Sequence, residues 1–160
     1  MYDLYRRLVR PIAILLGGQP WLPKLNTQIV AIDRLLQKAM RGKVSLVNLA
    51  GLQGLMLSVR GAKSGIERTT PLLCVPHEGG WLVAGSNWGA PKPPAWVANL
   101  SAADTASVQF HGVRHAVTPR EQIGDDKARV WQVMVRTWPN YDKYAARTGR
   151  EIRVFFLDPS

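Results

Sequence analysis

The chain has 160 residues, 46% of them hydrophobic and 20% charged, with a net charge of +10. That length fits one domain with a core of its own, and the composition excludes a disordered chain. The charge asks for an anionic partner: nucleic acid, a membrane surface, or a phosphorylated or carboxylated small molecule.

The excess is uneven, since residues 1–50 carry eight Lys and Arg against two Asp, and residues 51–160 carry thirteen against nine Asp and Glu. A single cysteine, Cys74, excludes an intramolecular disulfide and a cysteine-based zinc site, and it suits a reducing, cytoplasmic setting. The opening MYDLYRRLVRPIAILLGG imitates a signal peptide, but the apolar run Ile12 to Leu16 is too short and no small-residue cleavage site follows. No later segment approaches the ~20 apolar residues of a membrane-spanning helix, so a soluble protein is expected.

Up to Ala50 the pattern is helical. Tyr2, Tyr5, Val9, Ile12 and Leu16 recur at steps of three or four, with Arg6, Arg7 and Arg10 elsewhere on the wheel and Pro11 set to kink or end the helix. Thr27 is placed to cap a second helix carrying Ile29, Ile32, Leu36 and Met40 on one side and ending near Gly42. VSLVNLAGLQG is ambiguous. Beyond Leu55 the period changes: LMLSV, TTPLLCV, GWLVAGS, ASVQFH, RHAVTP and the final IRVFFL read as strands, mostly antiparallel. Between them PPAWVANL predicts a short helix with Pro94 as its first residue. GDDKARVWQVMVRTW predicts a longer helix capped by Asp125 or Asp126, with Val130, Trp131, Met134 and Trp138 on one face. A further helical piece starts at Pro139, holds Tyr141 and Tyr144 and closes at Gly149. Six strands with late helices predict a small closed or half-closed antiparallel barrel, an α+β fold that is mainly β.

For chemistry, AGSNWG lacks the spacing of a nucleophile elbow. His111 and His115 lie on a hairpin and read as exposed strand residues, so no metal site is expected. Two segments suit an anion. In RGAKSGIERTTPL, glycines would free backbone N–H groups while Lys63 and Arg68 balance charge. In GSNWGAPKPPAW, Ser86, Asn87, Gly89, Ala90 and Lys92 precede a helix N-terminus. TWPNYDKYAARTG gathers Trp138, Tyr141 and Tyr144, either as helix packing or as a pocket wall for a planar substrate.

These segments, with DDKARVWQVMV and WPNYDKYAARTGREIRV, resemble the deazaflavin-dependent nitroreductase and quinone reductase family, in order and spacing from about Leu55 to Pro159. The resemblance implies a split β-barrel of the flavin-reductase and pyridoxamine-phosphate-oxidase type, residues 51–160, behind a helical extension, residues 1–50, as one structural domain overall. It implies coenzyme F420 in its reduced form, F420H2, and hydride transfer to a small-molecule acceptor such as a quinone, enone or nitro compound. Arg60, Lys63, Ser64, Gly65 and Arg68 would hold the phosphate and glutamyl tail. Thr70, Pro71, Ser86, Asn87, Gly89, Ala90, Pro91 and Lys92 would line the groove, with Trp96 packed behind. Leu73, Trp88, Trp138, Tyr141 and Tyr144 would face the acceptor, where Leu73, Trp88 and Trp138 make the pocket more apolar and narrower than in many relatives. Tyr141, Tyr144 and Ser86 are the catalytic candidates. The expected state is monomer or homodimer, without nucleic acid, with the basic N-terminal helix available for peripheral membrane attachment. The alternatives are a non-catalytic basic binding module for an anionic partner and an FMN-binding split barrel.

Overall fold

A computed structural model describes residues 2–40 and 46–160. Seven strands form one sheet: β1 (Gly54–Arg60), β2 (Glu67–Leu73), β3 (Val75–His77), β4 (Gly80–Ala84), β5 (Ala106–Phe110), β6 (Val113–Gln122) and β7 (Val154–Pro159). Their spatial order is β2-β1-β5-β6-β7-β4-β3, and each neighbouring pair is antiparallel. The run TTPLLCV is therefore two strands and not one. Cys74 breaks it, its N–H donating to the Gln53 carbonyl at 2.9 Å. Because one residue separates strands at opposite margins of the sheet, the sheet curls until those margins approach, which makes a split barrel.

The alternation that predicted strands also fills the barrel. Leu55, Leu57 and Val59 point inward from β1 and meet Trp81 and Val83 of β4, Val108, Val117, Phe155 and Leu157. Helix α4 (Ala95–Ser101) adds Trp96, Val97 and Leu100 to that interior. Pro94 is its extended cap residue, one position earlier than expected. A second apolar layer lies outside the sheet, where Leu82 and Val154 pack against Val130 and Met134 of α5 (Gly124–Thr137) and against Tyr141 and Tyr144 of α6 (Asn140–Thr148). Both faces of β4 are covered, which explains its unbroken apolar sequence.

Several local expectations need correction. Ile123, without a side-chain bond, holds the cap position of α5; Asp125 and Asp126 fall in the first turn, where their charge still favours the helix N-terminus. Pro139 occupies the cap position of α6, and Gly149 closes that helix at φ 63°, as expected. His115 is half-buried, its ring 5.2 Å from that of Trp81, while His111 sits in the β5–β6 turn at φ 49°. The ambiguous stretch holds one helical turn, α3 (Leu46–Leu49), before β1.

At the N-terminus, α1 (Tyr2–Gly17) runs straight through Pro11. Its docking bonds offset the missing backbone donor: Arg10 donates to the carbonyls of Arg136 (3.1 Å) and Thr137 (2.7 Å) at the end of α5, and Asn140 donates to the Ile14 carbonyl at 2.6 Å. A 3-10 turn, Leu22–Leu25, leads into α2 (Asn26–Ala39). Thr27 does not cap it. Leu25 holds that position without a side-chain bond, and Asn26 reaches across to the barrel instead. Nor is the expected apolar side of α2 buried, since Ile32 and Met40 are exposed whereas Asp33 faces inward. The expected end at Gly42 lies outside the described residues.

A Cβ added at Gly17 would lie 2.3 Å from Cζ2 of Trp138. Gly17→Ala should cost about 1–3 kcal/mol through overpacking. Urea unfolding of the variant beside wild type checks this, and an unchanged midpoint would mean that α1 is not seated on Trp138.

Candidate active site

A cavity of about 470 Å³ lies between the β2 margin, the segment after β4, α6 and the two N-terminal helices. Its walls are built from three pieces of sequence.

The first is the β1–β2 hairpin. Its tip folds on itself: the Gly61 N–H donates to the Ile66 carbonyl (2.9 Å), the Gly65 N–H to the Gly61 carbonyl (2.8 Å) and the Ile66 N–H to Ser64 Oγ (3.3 Å). Asn99 of α4 accepts the Ala62 N–H at 3.0 Å. Gly65 supplies the positive φ of 66°. Most of the tip's N–H groups are thus spent internally, so what it presents to an anion is the exposed Lys63 and not a backbone cradle. Along β2 the register places Leu72, Thr70 and Arg68 opposite Leu55, Leu57 and Val59, on the barrel-facing side. Arg60 and Glu67 share the opposite side with Ser58 and Thr69 and line a separate depression of about 420 Å³. The structure therefore sets Arg60 apart from the other candidate cations.

The second piece is the segment from Gly85 to Lys92. Asn87, Trp88 and Gly89 have φ values of 46°, 55° and 75°. A backbone so rarely adopted needs support, and α6 with the residues after it supplies it. Arg150 donates to the carbonyls of Gly85 (3.0 Å), Ser86 (2.9 Å) and Ala90 (3.2 Å), Thr148 to that of Ala90 (3.0 Å), and Arg147 to that of Trp88 (3.0 Å). Burial draws the Arg150 guanidinium below its ordinary value. In a trans peptide the N–H opposes the C=O, so the Ser86 and Asn87 N–H groups point away from Arg150. Sequence reading missed Arg147, Thr148 and Arg150, and the only signal for them was two cations flanking the Gly149 helix stop.

The third piece is aromatic. Trp138, Tyr141 and Tyr144 are buried. Tyr144 Oη donates to the Gly17 carbonyl and accepts from Trp138 Nε1 at 3.3 Å. Its ring is 6.2 Å from that of Trp88 and 6.3 Å from that of Tyr141. Burial pushes both phenols far above their usual range, so each keeps its proton at physiological pH.

Of the residues expected at the site, Thr70, Pro71, Leu73, Ser86, Asn87, Trp88, Trp96, Trp138, Tyr141 and Tyr144 border this one cavity. Lys63, Ser64, Gly65 and Arg68 are exposed outside its wall, as are Pro91 and Lys92. Gly89 is buried, and a Cβ there would lie 3.1 Å from the Tyr144 Cα. The N-terminal helices, for which the sequence offered membrane attachment and no part in the site, contribute Val9, Ala13, Asn26, Ile29, Val30 and the buried Asp33.

This fold and groove are those of a split-barrel reductase. A solved F420-H2 dependent reductase (FDR-A) is similar, with TM-score 0.61 and 34% identity, covering 66% of this chain and 94% of that one. A solved domain-swapped dimer is similar at TM-score 0.64 and 31% identity, covering 80% and 94%. A sequence model of the F420H(2)-dependent quinone reductases matches residues 32–159, and the chain belongs to that family. The F420H(2)-dependent quinone reductase Rv1261c of Mycobacterium tuberculosis is 28% identical over 141 residues, covering 86% of this chain and 95% of its own length. The protein is an F420H2-dependent oxidoreductase.

The buried phenols fix a pH dependence. Their folded pKa values exceed the unfolded value of about 10, so stability is fully present below that pH and falls as pH rises above it. Tyr141→Phe should flatten the alkaline limb, which urea unfolding between about pH 7 and pH 11 would reveal. An alkaline limb as steep as wild type's would contradict the burial of that phenol.

Proposed function

We propose that reduced F420 lies along the β2 margin, with its phosphate and glutamyl tail toward Lys63 and Arg68 and its ring between Thr70 and Pro71 on one side and Ser86 to Trp88 on the other. The observation that carries this reading is the register of β2. Leu72, Thr70 and Arg68 form one row from the apolar cavity out to the cationic hairpin. A planar, partly apolar ring with a polyanionic tail fits that gradient.

When bound, the coenzyme supplies a hydride. The protein's own contribution is alignment and charge stabilisation. Ser86 has its backbone N–H turned away from Arg150 and its side chain at the cavity, where it donates to an acceptor oxygen as negative charge develops. Tyr144 is committed to the Gly17 carbonyl and acts as wall and brace. Tyr141 retains its proton and is the phenol that donates to the acceptor. Leu73, Trp88 and Trp138 exclude water and suit an apolar, planar acceptor, a quinone above all.

Two further features belong to this reading. Leu8, Ile12 and Leu15 on α1 are 64%, 59% and 64% exposed, and Arg7 is exposed among them. Such a face attaches peripherally to anionic lipid. Arg10 takes no part in it, being turned onto the end of α5. The domain-swapped relative supports a homodimer, which light scattering would read as twice the chain mass.

Lys63→Ala tests the site. A hydrogen bond to a charged group is worth about 1.5–3 kcal/mol, so coenzyme affinity should fall about ten- to a hundredfold, while Arg136→Ala, which removes a cation from the far end of α5, should change it little. Equal losses in both variants would reduce the loop to a diffuse field. Wild type should prefer F420 to FMN and lose affinity with salt. For the membrane face, wild type should sediment with anionic vesicles and not with neutral ones, and Leu8→Glu with Leu15→Glu should stay in the supernatant. Wild type that remains soluble with anionic vesicles would remove the attachment.

A further inference from the structure

Helix α2 is fastened to both lips of the groove. At its first residue, Asn26 Oδ1 accepts from Trp88 Nε1 at 2.8 Å and Asn26 Nδ2 donates to Asn87 Oδ1 at 3.3 Å. Asn87 in turn donates to the Lys92 carbonyl at 2.9 Å. Eight residues on, about 12 Å along the helix axis, Arg34 donates to the Thr69 carbonyl of β2 at 2.7 Å. Thr69 adjoins Thr70 and Pro71 of one lip, and Asn87 and Trp88 are the other. Among the described residues β2 has a partner strand on one side only, and Asn87 and Trp88 hold left-handed backbone. Neither lip is fixed by sheet pairing on the side that faces the groove. Between the two fastenings, Ile29, Val30 and Asp33 look into the cavity.

We propose that α2 is a strut that sets the width of the slot, and that Asn26 and Arg34 are positioning residues for the reaction. The slot must hold two planar rings face to face, so its width decides how closely the acceptor approaches. Arg34 is exposed, and its single bond contributes little stability alone. A strut, however, transmits a distance only while both ends hold. Releasing one end removes the constraint, and releasing the second finds nothing left to remove. Two independent hydrogen bonds would instead multiply their effects.

The inference rests on the groove being the coenzyme and acceptor site. Coenzyme binding by Lys63→Ala examines that reading without touching α2, so the two can fail separately. The experiment is steady-state turnover of full-length protein with saturating F420H2 and a soluble naphthoquinone, together with melting temperatures. Asn26→Ala and Arg34→Ala should each raise the acceptor KM about tenfold, with kcat changed less than about threefold. The double variant should match the worse single. Arg34→Lys, which still donates, should stay near wild type. If Asn26→Ala does not fold, Asn26→Ser, whose shorter side chain gives up the bond to the indole, takes its place in the cycle. Multiplying effects in the double variant, an unchanged acceptor KM in the singles, or a fall in melting temperature without a change in KM would each overturn the strut.

Discussion

Cys74 is the only residue between β2 and β3, strands that lie at opposite margins of one seven-stranded sheet. A sheet joined in this way cannot stay open, because the two margins are held within one residue's span of each other. Curling gives Leu55, Leu57 and Val59 an interior, and it brings Leu73 beside Ala84 and Trp88 at the rim of the cavity. Burial pushes the Cys74 thiol far above its ordinary range, which leaves it chemically inert there. The joint is structural, and the site is what its curvature exposes.

Around that rim the molecule spends its cations in two different ways. Arg147 and Arg150 turn inward onto backbone carbonyls and hold a strained segment in shape. Lys63 and Arg68 are exposed and, among the described residues, have no ion-pair partner. A count of positive charge cannot separate these uses, because both raise the net charge equally. Only the location of the carbonyls does. The hairpin shows the complementary lesson: its glycines look like an anion cradle, yet the N–H groups of Gly61, Gly65 and Ile66 close the turn and that of Ala62 is taken by Asn99 of α4.

Strand alternation and helix spacing were readable in the sequence because both arise from burial on one face. The barrel strands other than β3, with α4, α5 and α6, follow from that rule, the Gly149 stop follows from its left-handed backbone, and part of the cavity wall follows from the family's motifs. What was not readable depends on distant partners. Asn26 looked like an ordinary residue ahead of a Thr cap, since nothing local indicates that Trp88, 62 positions later, offers it an N–H. Pro11 looked like a breaker because the bonds that seat α1 across it come from Arg136, Thr137 and Asn140. Ile32 and Met40 looked like a core stripe, but α2 turns its polar residues Asn26 and Asp33 toward the barrel.

The outer rim of β2 has a further significance. An unpaired strand edge is a template on which another chain can add a strand, and proteins blunt such edges with charge, proline or cover. Here Pro71 and Arg68 interrupt the edge from within, and α2 lies against it with Arg34 occupying the Thr69 carbonyl. Proteolytic loss of the first two helices would strip that cover and leave a bare rim open to intermolecular strand pairing. The N-terminal helices thus cover this edge in addition to shaping the cavity, and a trimmed barrel would be prone to aggregate even with its interior packing intact.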